Sequence, residues 1–209
     1  MSKKLVISFI VLVVLTMSAL AADTLIYEAN FNKNDAKKVK WLSVEGEWEI
    51  EKDTMVNYDI MSLDTNIYQE LEQFGDGTYI YEYKVTYLEQ GNEYAPAAGL
   101  HFMASDGEAT NRGDSYLVFQ DNSSMQLYRS IAGSMYNVLL IPGFGAVVGD
   151  TSVIRTEYNT KTGLIQVYLN NTLVIEYGDT DPIMDGIAIS LRTNGTVAAY
   201  DYVKVWFRK

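Results

Sequence analysis

The chain has 209 residues, of which 48% are hydrophobic and 12% aromatic, and it contains one histidine and no cysteine. This length suits one full hydrophobic core, since globular domains usually run to ~100–200 residues. The 27 acidic residues outnumber the 16 basic ones, so nucleic acid and anionic lipid would be repelled and are excluded as partners. Without cysteine there is no disulfide framework, and stability must come from the core alone.

The N-terminus has the pattern of a secretory signal. Lys3 and Lys4 precede the apolar run Leu5 to Leu15, and Ala19-Leu20-Ala21 offers small residues at the spacing that a signal peptidase accepts. We therefore predict a signal peptide over residues 1–22 and one mature domain over 23–209, with a formal charge of −13 and a first residue at Ala22 or Asp23. The alternative is an uncleaved anchor, because the apolar stretch nearly reaches the ~18 residues of a membrane span. The expected location is secreted, periplasmic or cell-surface.

Alternation of apolar and polar residues predicts strands along the whole mature chain. The longest stripe, Tyr79 to Tyr87, places four tyrosines on one face. Such a face is either a carbohydrate-stacking wall or a half-buried surface with hydroxyls at its rim, and we favour the second interpretation. Asn170-Asn171 and Asn194-Gly195 are turn dipeptides that connect strands near the C-terminus. The acidic residues around Pro182 are interpreted as turn structure; they are Glu176, Asp179, Asp181 and Asp185.

The order of these segments resembles one fold family. Three parts of the chain are similar to concanavalin A-like lectin/glucanase domains. They are the C-terminal block VYLNN-x-LV, D-x-x-P, G-x-A-I-S-L and A-A-Y-D-Y-V-K-V, the N-terminal EANF and GEWEI, and the central AAGLHFMASD. Laminin-G-like modules and 3-keto-disaccharide hydrolase-like domains are included in that resemblance. It implies an all-β fold, a jelly-roll β-sandwich of two antiparallel sheets. The fold alone does not decide function, because lectins, enzymes and adhesion modules share it.

Known catalytic patterns are missing from the sequence. One histidine and no cysteine rule out a His/Cys metal site, and no nucleophile-elbow motif accompanies His101. Retaining glucanases of this fold carry a Glu-x-Asp-x-x-Glu strand, and none occurs here. Enzymatic activity therefore stays open, with the balance toward a non-catalytic protein. The tripeptide Arg112-Gly113-Asp114 spells an integrin-type adhesion motif, which we interpret as a chance occurrence in a polar loop.

A carbohydrate site is predicted from the faces of three neighbouring strands. If Leu100 and Phe102, Leu117 and Phe119, and Met125 and Leu127 point into the core, alternation places the remaining polar and aromatic residues on the opposite, concave face. These are His101, Tyr116, Gln126 and Tyr128. Aromatic rings cover the apolar faces of sugars, and imidazole and amide groups bond their hydroxyls, so this patch suits a neutral sugar.

A structural calcium site is the second prediction, and it follows from the resemblance. Glu28 in the first strand and Asp201 in the last match positions where similar jelly-roll domains place carboxylates on an ion, with a backbone carbonyl near Gly46 completing the site. Two independent surface carboxylates are the alternative.

Three functions remain open. The first is an exported, non-catalytic carbohydrate-binding domain that acts at the cell envelope or on extracellular polysaccharide, with a glycan as its partner. The second is a structural surface or filament subunit that self-associates. The third is a glycoside-cleaving enzyme of the 3-keto-disaccharide hydrolase-like kind, which would require a carboxylate pair in a cleft.

Overall fold

The structure is a computed structural model that describes residues 22–32, 40–91 and 96–209. The predicted signal peptide lies almost entirely outside these ranges. The described residues form fifteen strands and one 3-10 helix, Thr110–Arg112. The strands are β1 Thr24–Ala29, β2 Leu42–Glu45, β3 Trp48–Glu51, β4 Thr54–Asn57, β5 Thr65–Gln73, β6 Thr78–Gln90, β7 Ala97–Ala104, β8 Ser115–Gln120, β9 Ser124–Ile131, β10 Ser134–Pro142, β11 Thr151–Asn159, β12 Leu164–Leu169, β13 Thr172–Gly178, β14 Gly186–Asn194 and β15 Thr196–Arg208.

These strands form two antiparallel sheets that pack face to face, so the predicted jelly-roll β-sandwich is confirmed. The eight-stranded sheet has the order β13-β12-β11-β6-β15-β4-β3, with β1 also paired to β15. The seven-stranded sheet has the order β10-β9-β8-β7-β14-β5-β2. Within the described part of the chain, no helix is long and apolar enough to cross a membrane.

The predicted turns are present and have the backbone that their residues favour. Asn170 and Asn171 have φ angles of 48° and 68° between β12 and β13. This left-handed region is one that asparagine tolerates and that a two-residue hairpin turn requires. Gly195, with φ 54°, connects β14 to β15.

The tyrosine stripe of β6 fills the core. Tyr81, Tyr83 and Tyr87 are fully buried between the sheets, so these side chains are not an exposed sugar-stacking wall. Their hydroxyls cross the sandwich: Tyr81 donates to Gln73 Oε1 at 2.7 Å and Tyr87 to the Gln120 carbonyl oxygen at 3.1 Å. Burial raises the pKa of all three hydroxyls well above its usual value. The predicted position of these hydroxyls at the rim is therefore wrong, because they link the two sheets.

Asp179, Asp181 and Asp185 lie in the turn around Pro182, as predicted. Glu176 does not; it lies in β13, where its carboxylate accepts a bond from Gln166 Nε2 at 2.9 Å. The buried carboxylate of Asp179 accepts bonds from the Tyr116 hydroxyl at 2.6 Å and the Arg129 guanidinium at 3.3 Å. It also accepts the backbone N–H of Asp181 at 2.9 Å. These bonds hold the turn against the inner face of the seven-stranded sheet.

Candidate functional site

The outer face of the seven-stranded sheet carries most of the residues that the sequence singled out. Register across the strands places its side chains in two rows. The first row is Tyr68, Ser190, His101, Leu117, Tyr128 and Asn137. The second row is Asn66, Arg192, Gly99, Phe119, Gln126 and Leu140.

The prediction for Tyr116 is wrong, because β8 faces the other way. Tyr116 is fully buried and its ring centroid lies 5.3 Å from that of Phe102 and 5.2 Å from that of Tyr158. Leu117 and Phe119, predicted as core, lie on the outer face instead. The segment SYLVFQ is apolar on both faces, so alternation alone does not determine its phase. The buried bond from Tyr116 to Asp179 determines it.

His101 points to the outer face but does not reach solvent. It is fully buried, and its Nδ1 lies 3.1 Å from Ser115 Oγ, which in turn donates to the Asn111 carbonyl oxygen at 2.8 Å. Burial holds the pKa of His101 well below its usual value, and the guanidinium groups of Arg192 and Arg112 lower it further. The ring is therefore neutral, and its Nε2 has no hydrogen-bond partner within the described residues.

An aromatic floor lies beside His101 because Gly99 leaves room for it. A Cβ at Gly99 would lie 2.2 Å from the Val118 carbonyl oxygen and 2.6 Å from the Phe119 ring. The ring of Phe119 therefore extends across β7 toward β14, where the Arg192 guanidinium lies 5.9 Å from its centroid. This distance is within the range of a cation–π contact. The aromatic floor is apolar, and the Arg192 guanidinium lies at its edge.

Arg192 is a buried cation on this face. Its Nη1 donates to Asn111 Oδ1 at 2.9 Å and lies 3.2 Å from Asp64 Oδ1, and its Nη2 donates to the Leu63 carbonyl oxygen at 3.3 Å. Burial lowers the pKa of Arg192, and the Asp64 carboxylate opposes that shift. These three partners hold the guanidinium in one position, and its Nε has no partner among the described residues.

On the other side of the floor, a chain of polar groups runs along β9. The Tyr128 hydroxyl donates to Gln126 Oε1, which also accepts a bond from Asn137 Nδ2 at 3.1 Å. Gln126 Nε2 donates to the Asp121 carboxylate and to Ser124 Oγ. Tyr128 and Asp121 are half-buried, and Asn137 is exposed. Amide, hydroxyl and carboxylate groups thus surround an aromatic floor.

The face is concave. Strands β10 and β14 are separated by three others, which corresponds to about 19 Å in a flat sheet. The Sδ atom of Met135 on β10 nevertheless lies 4.0 Å from Arg192 Nη1. The side chains of β10 and β14 therefore approach each other above Leu117 and Phe119.

The predicted calcium site does not fit the residues that were proposed to form it. The carboxylate of Glu28 lies 3.1 Å from Lys204 Nζ, and that of Asp201 forms an ion pair with Lys84. Each lysine neutralises the charge that a divalent cation needs. The described residues contain no group of three or more His, Cys, Asp or Glu side chains arranged to hold a metal. Pairing of β1 with β15 and a bidentate bond from Arg208 to Asp23, at 2.6 and 3.0 Å, connect the ends of the domain instead.

The adhesion tripeptide is part of the scaffold. Arg112 is 3% exposed and donates to the Gly107 carbonyl oxygen at 2.5 Å. The Asp114 carboxylate accepts the backbone N–H of Ala132 at 2.6 Å. A buried arginine and an engaged aspartate do not present a receptor motif, which agrees with the interpretation as chance.

Comparison with known proteins places this geometry in a structural class. No protein-family profile matches the chain, and no curated protein sequence matches it. Solved structures do match. The carbohydrate-binding module CBM66 from Bacillus subtilis has a TM-score of 0.62 at 20% identity, covering 77% of this chain and 91% of that one. This chain has the fold of lectins and carbohydrate-binding modules.

Two further structures support the same assignment. A Bacillus subtilis protein of unknown function with a galectin-like fold has a TM-score of 0.65 at 14% identity, covering 89% of this chain and 98% of that one. The carbohydrate recognition domain of Emp46p in its metal-free form has a TM-score of 0.63 at 11% identity, covering 86% and 95%. Emp46p has also been solved with potassium bound. The narrower resemblance to laminin-G-like and 3-keto-disaccharide hydrolase-like domains stays a prediction.

Several residues of the face were missed by sequence reasoning. Arg192, Phe119, Asp121 and Asn137 were not proposed for the site. One sequence feature points to Arg192: it is the only charge in GIAISLRTN, a strand that is otherwise apolar or small. A charge in such a strand must be paired or functional, because an unpaired buried charge is costly.

Proposed function

We propose that this protein is an exported, non-catalytic carbohydrate-binding domain that binds glycan on the concave face of the seven-stranded sheet. One observation carries the proposal: an aromatic floor on that face is bordered by fixed hydrogen-bonding groups. The likeness to carbohydrate-binding modules and lectin domains supports it as a shared fold. His101, Gln126 and Tyr128 stay in the proposed site, with His101 as a buried support beneath the surface.

The chemistry of the face suits a sugar. The half-buried Tyr128 offers its ring to the C–H surface of a pyranose or furanose ring, and Phe119, which is only 6% exposed, supports it from beneath. Asn137 and Asp121 offer acceptors and donors to its hydroxyls, and the buried amide of Gln126 bonds to both and holds them in position before binding. Preorganised groups lose less entropy on binding, so a few such contacts give useful affinity.

Variants of the concave face test this proposal. Tyr128→Ala removes a ring and Asn137→Ala removes an exposed amide, and both side chains reach solvent, so the fold should be kept. We expect retention on an array of bacterial, plant and animal glycans to fall by about two- to tenfold in each, as the loss of one stacked ring or hydrogen bond predicts. Tyr202→Ala, on the outer face of the opposite sheet, is the control. Wild-type retention by both concave-face variants would refute the proposed face.

Export is part of the proposal. The lysine pair and apolar run at the N-terminus support a signal peptide over residues 1–22, and the resulting location is secreted, periplasmic or cell-surface. Mass spectrometry of the exported protein should show a first residue at Ala22 or Asp23. A mass that retains Met1 would contradict cleavage.

Self-association as a surface subunit is a second candidate, and one observation favours it. Strand β10 ends the seven-stranded sheet with β9 as its partner in the described structure. Residues 130–149 contain no charge. The other strands at sheet ends, β2, β3 and β13, carry Glu45, Glu49 and Glu176. Charged side chains normally protect exposed edges from pairing with another chain, so β10 is the edge most open to it.

Light scattering at increasing protein concentration tests this candidate. Tyr136 on β10 and Leu173 on β13 are matched in exposure, at 46% and 45%. If copies pair through β10, Tyr136→Lys should give a monomer and Leu173→Lys should leave the assembly unchanged. A wild-type protein that stays monomeric at all concentrations would exclude self-association.

A further inference from the structure

A second depression lies on the opposite side of the molecule, in the outer face of the eight-stranded sheet. It has a volume of about 330 Å³. We call it the notch; its main lining residues are Val56, Tyr58, Thr86, Leu88, Ala199 and Asp201.

The notch forms because small side chains meet in one row of the sheet. Ala199 of β15 is paired with Val56 of β4 on one side and with Thr86 of β6 on the other. Val56 and Ala199 belong to a small apolar cluster that is separate from the main core. The longer side chains of Tyr58 and Leu88 rise beside this row. A floor of small residues between longer ones leaves a hollow.

The walls of the notch are apolar and partly fixed. Tyr58 is 38% exposed and Leu88 is 46% exposed, so both offer surface to a ligand. The Tyr58 hydroxyl donates to Glu51 Oε2 at 2.5 Å, and Thr54 Oγ1 donates to the Glu51 carbonyl oxygen at 2.7 Å. The first bond holds the aromatic ring at the edge of the notch. A ring that is already held loses little freedom when a ligand stacks on it.

The charges at the rim are balanced. Glu51 pairs with Lys52 at 2.8 Å, and Asp201 pairs with Lys84. Neither an anionic nor a cationic ligand would therefore find an unpaired opposite charge at the rim of the notch. The carboxylates can still accept bonds from hydroxyl groups, and the lysines can donate to them. The ligand that these groups suit is neutral, bears hydroxyls and has one apolar face.

We propose that the notch is a second binding site, which takes a neutral sugar residue against Tyr58 and the floor formed by Val56 and Ala199. Sugar rings have that combination of an apolar C–H face and hydroxyl edges, and aromatic walls with a few polar groups are what small-ligand sites commonly offer. This inference does not rest on the concave face. With both sites present, a single domain can bind two glycan chains on opposite sides, and attachment to a surface with many chains gains from both contacts.

Nuclear magnetic resonance of the nitrogen-15-labelled mature protein tests the two faces separately. The probes are D-glucose, D-galactose, D-mannose, D-fructose and N-acetyl-D-glucosamine. At least one of them should shift the amide signals of Val56, Thr86 and Ala199. The variant Ala199→Leu fills the hollow, and Tyr58→Ala removes its wall. Both should abolish these shifts.

The control is Tyr202→Ala. Tyr202 lies on the same sheet and donates to Glu82 Oε1 at 3.0 Å, much as Tyr58 donates to Glu51, but it lies outside the notch. The control should keep the shifts, and so should Tyr128→Ala on the concave face. Tyr58→Ala alters a half-exposed side chain, so it keeps the test decisive even if Ala199→Leu impairs folding.

The outcomes separate this inference from the proposed function. Shifts on the concave face with none at the notch for any of the five sugars would overturn the notch and leave the proposed function intact. Shifts at the notch that persist in Tyr58→Ala and Ala199→Leu would also overturn it. Shifts at the notch that disappear in both variants, with or without a response on the concave face, would support it.

Discussion

The two outer faces of the sandwich differ in how deeply their arginine side chains are buried. On the eight-stranded sheet, Arg155 lies near Glu82, Glu157 and Asp23, and these side chains share an accessible network of ion pairs. On the seven-stranded sheet, Arg192 is buried against Phe119 and bonded to Asn111 and Asp64. Exposed ion pairs contribute little to stability, whereas a buried, fixed charge is costly to maintain. The comparison indicates that the concave face is the specialised one.

The largest expected effect comes from removing each of the two arginines. Arg192→Met removes a partner from Asn111 Oδ1, from the Leu63 carbonyl oxygen and from Asp64. Of these, Asp64 Oδ1 keeps the bond from Asn66 Nδ2 at 2.6 Å. We expect it to lower the free energy of unfolding by about 3 kcal/mol, as for other broken buried networks. Arg155→Met should cost less than about 1 kcal/mol, because its partners are partly exposed and Arg208 still pairs with Asp23 and Glu157. Urea unfolding of both variants measures the difference, and equal costs would remove the contrast between the faces.

Two glycines give the next test. Gly99→Ala places a methyl group against the Val118 carbonyl oxygen and the Phe119 ring, and overpacking of this kind costs about 1–3 kcal/mol. Gly178→Ala on β13 is the matched control, since a Cβ there meets nothing within 4 Å. The control should stay within about 0.5 kcal/mol of the wild type. If the two thermal midpoints shift alike, the floor does not depend on Gly99.

The buried histidine predicts a pH dependence that belongs to the concave face. Because the folded pKa of His101 is depressed, the unfolded chain binds a proton first as the pH falls. Above the unfolded-state pKa of about 6.5, neutral His101 makes its full contribution to the free energy of unfolding. As the pH falls from there toward the folded-state pKa, the free energy of unfolding decreases by up to about 1.4 kcal/mol per pH unit. Unfolding free energies of the wild type and His101→Gln, compared from pH 8 to pH 5, should diverge in their slope within that window. Parallel curves would contradict a neutral, buried His101.

The smallest expected effect concerns the carboxylate that was predicted to bind calcium. Glu28→Gln removes one exposed ion pair with Lys204 and should cost less than about 1 kcal/mol. The wild type should melt at the same temperature in calcium and in a chelator, since the two predicted ligands are held by lysines. A higher melting temperature in calcium that is lost in Glu28→Gln would restore the predicted site.

Much of the architecture was predictable because it depends on local patterns. Period-two alternation located the strands, and Asn170-Asn171 and Gly195 located turns, since each choice is made by a residue and its immediate neighbours. The acidic turn around Pro182 was predictable for the same reason. The absence of cysteine, the single histidine and the excess of acidic residues excluded whole classes of chemistry without any coordinates.

Only the tertiary structure decided which side chains reach the binding face. In β8 both faces are apolar, so its phase was determined by the bond from Tyr116 to Asp179, 63 residues farther along the chain. His101 was on the predicted face but lies beneath Asn111 and Ser115. Glu28 and Asp201, predicted as calcium ligands, form ion pairs with lysines of neighbouring strands. Alternation determines which residues share a face of one strand. Which face becomes the surface depends on partners that are distant in sequence, and these are brought together only when the two sheets pack.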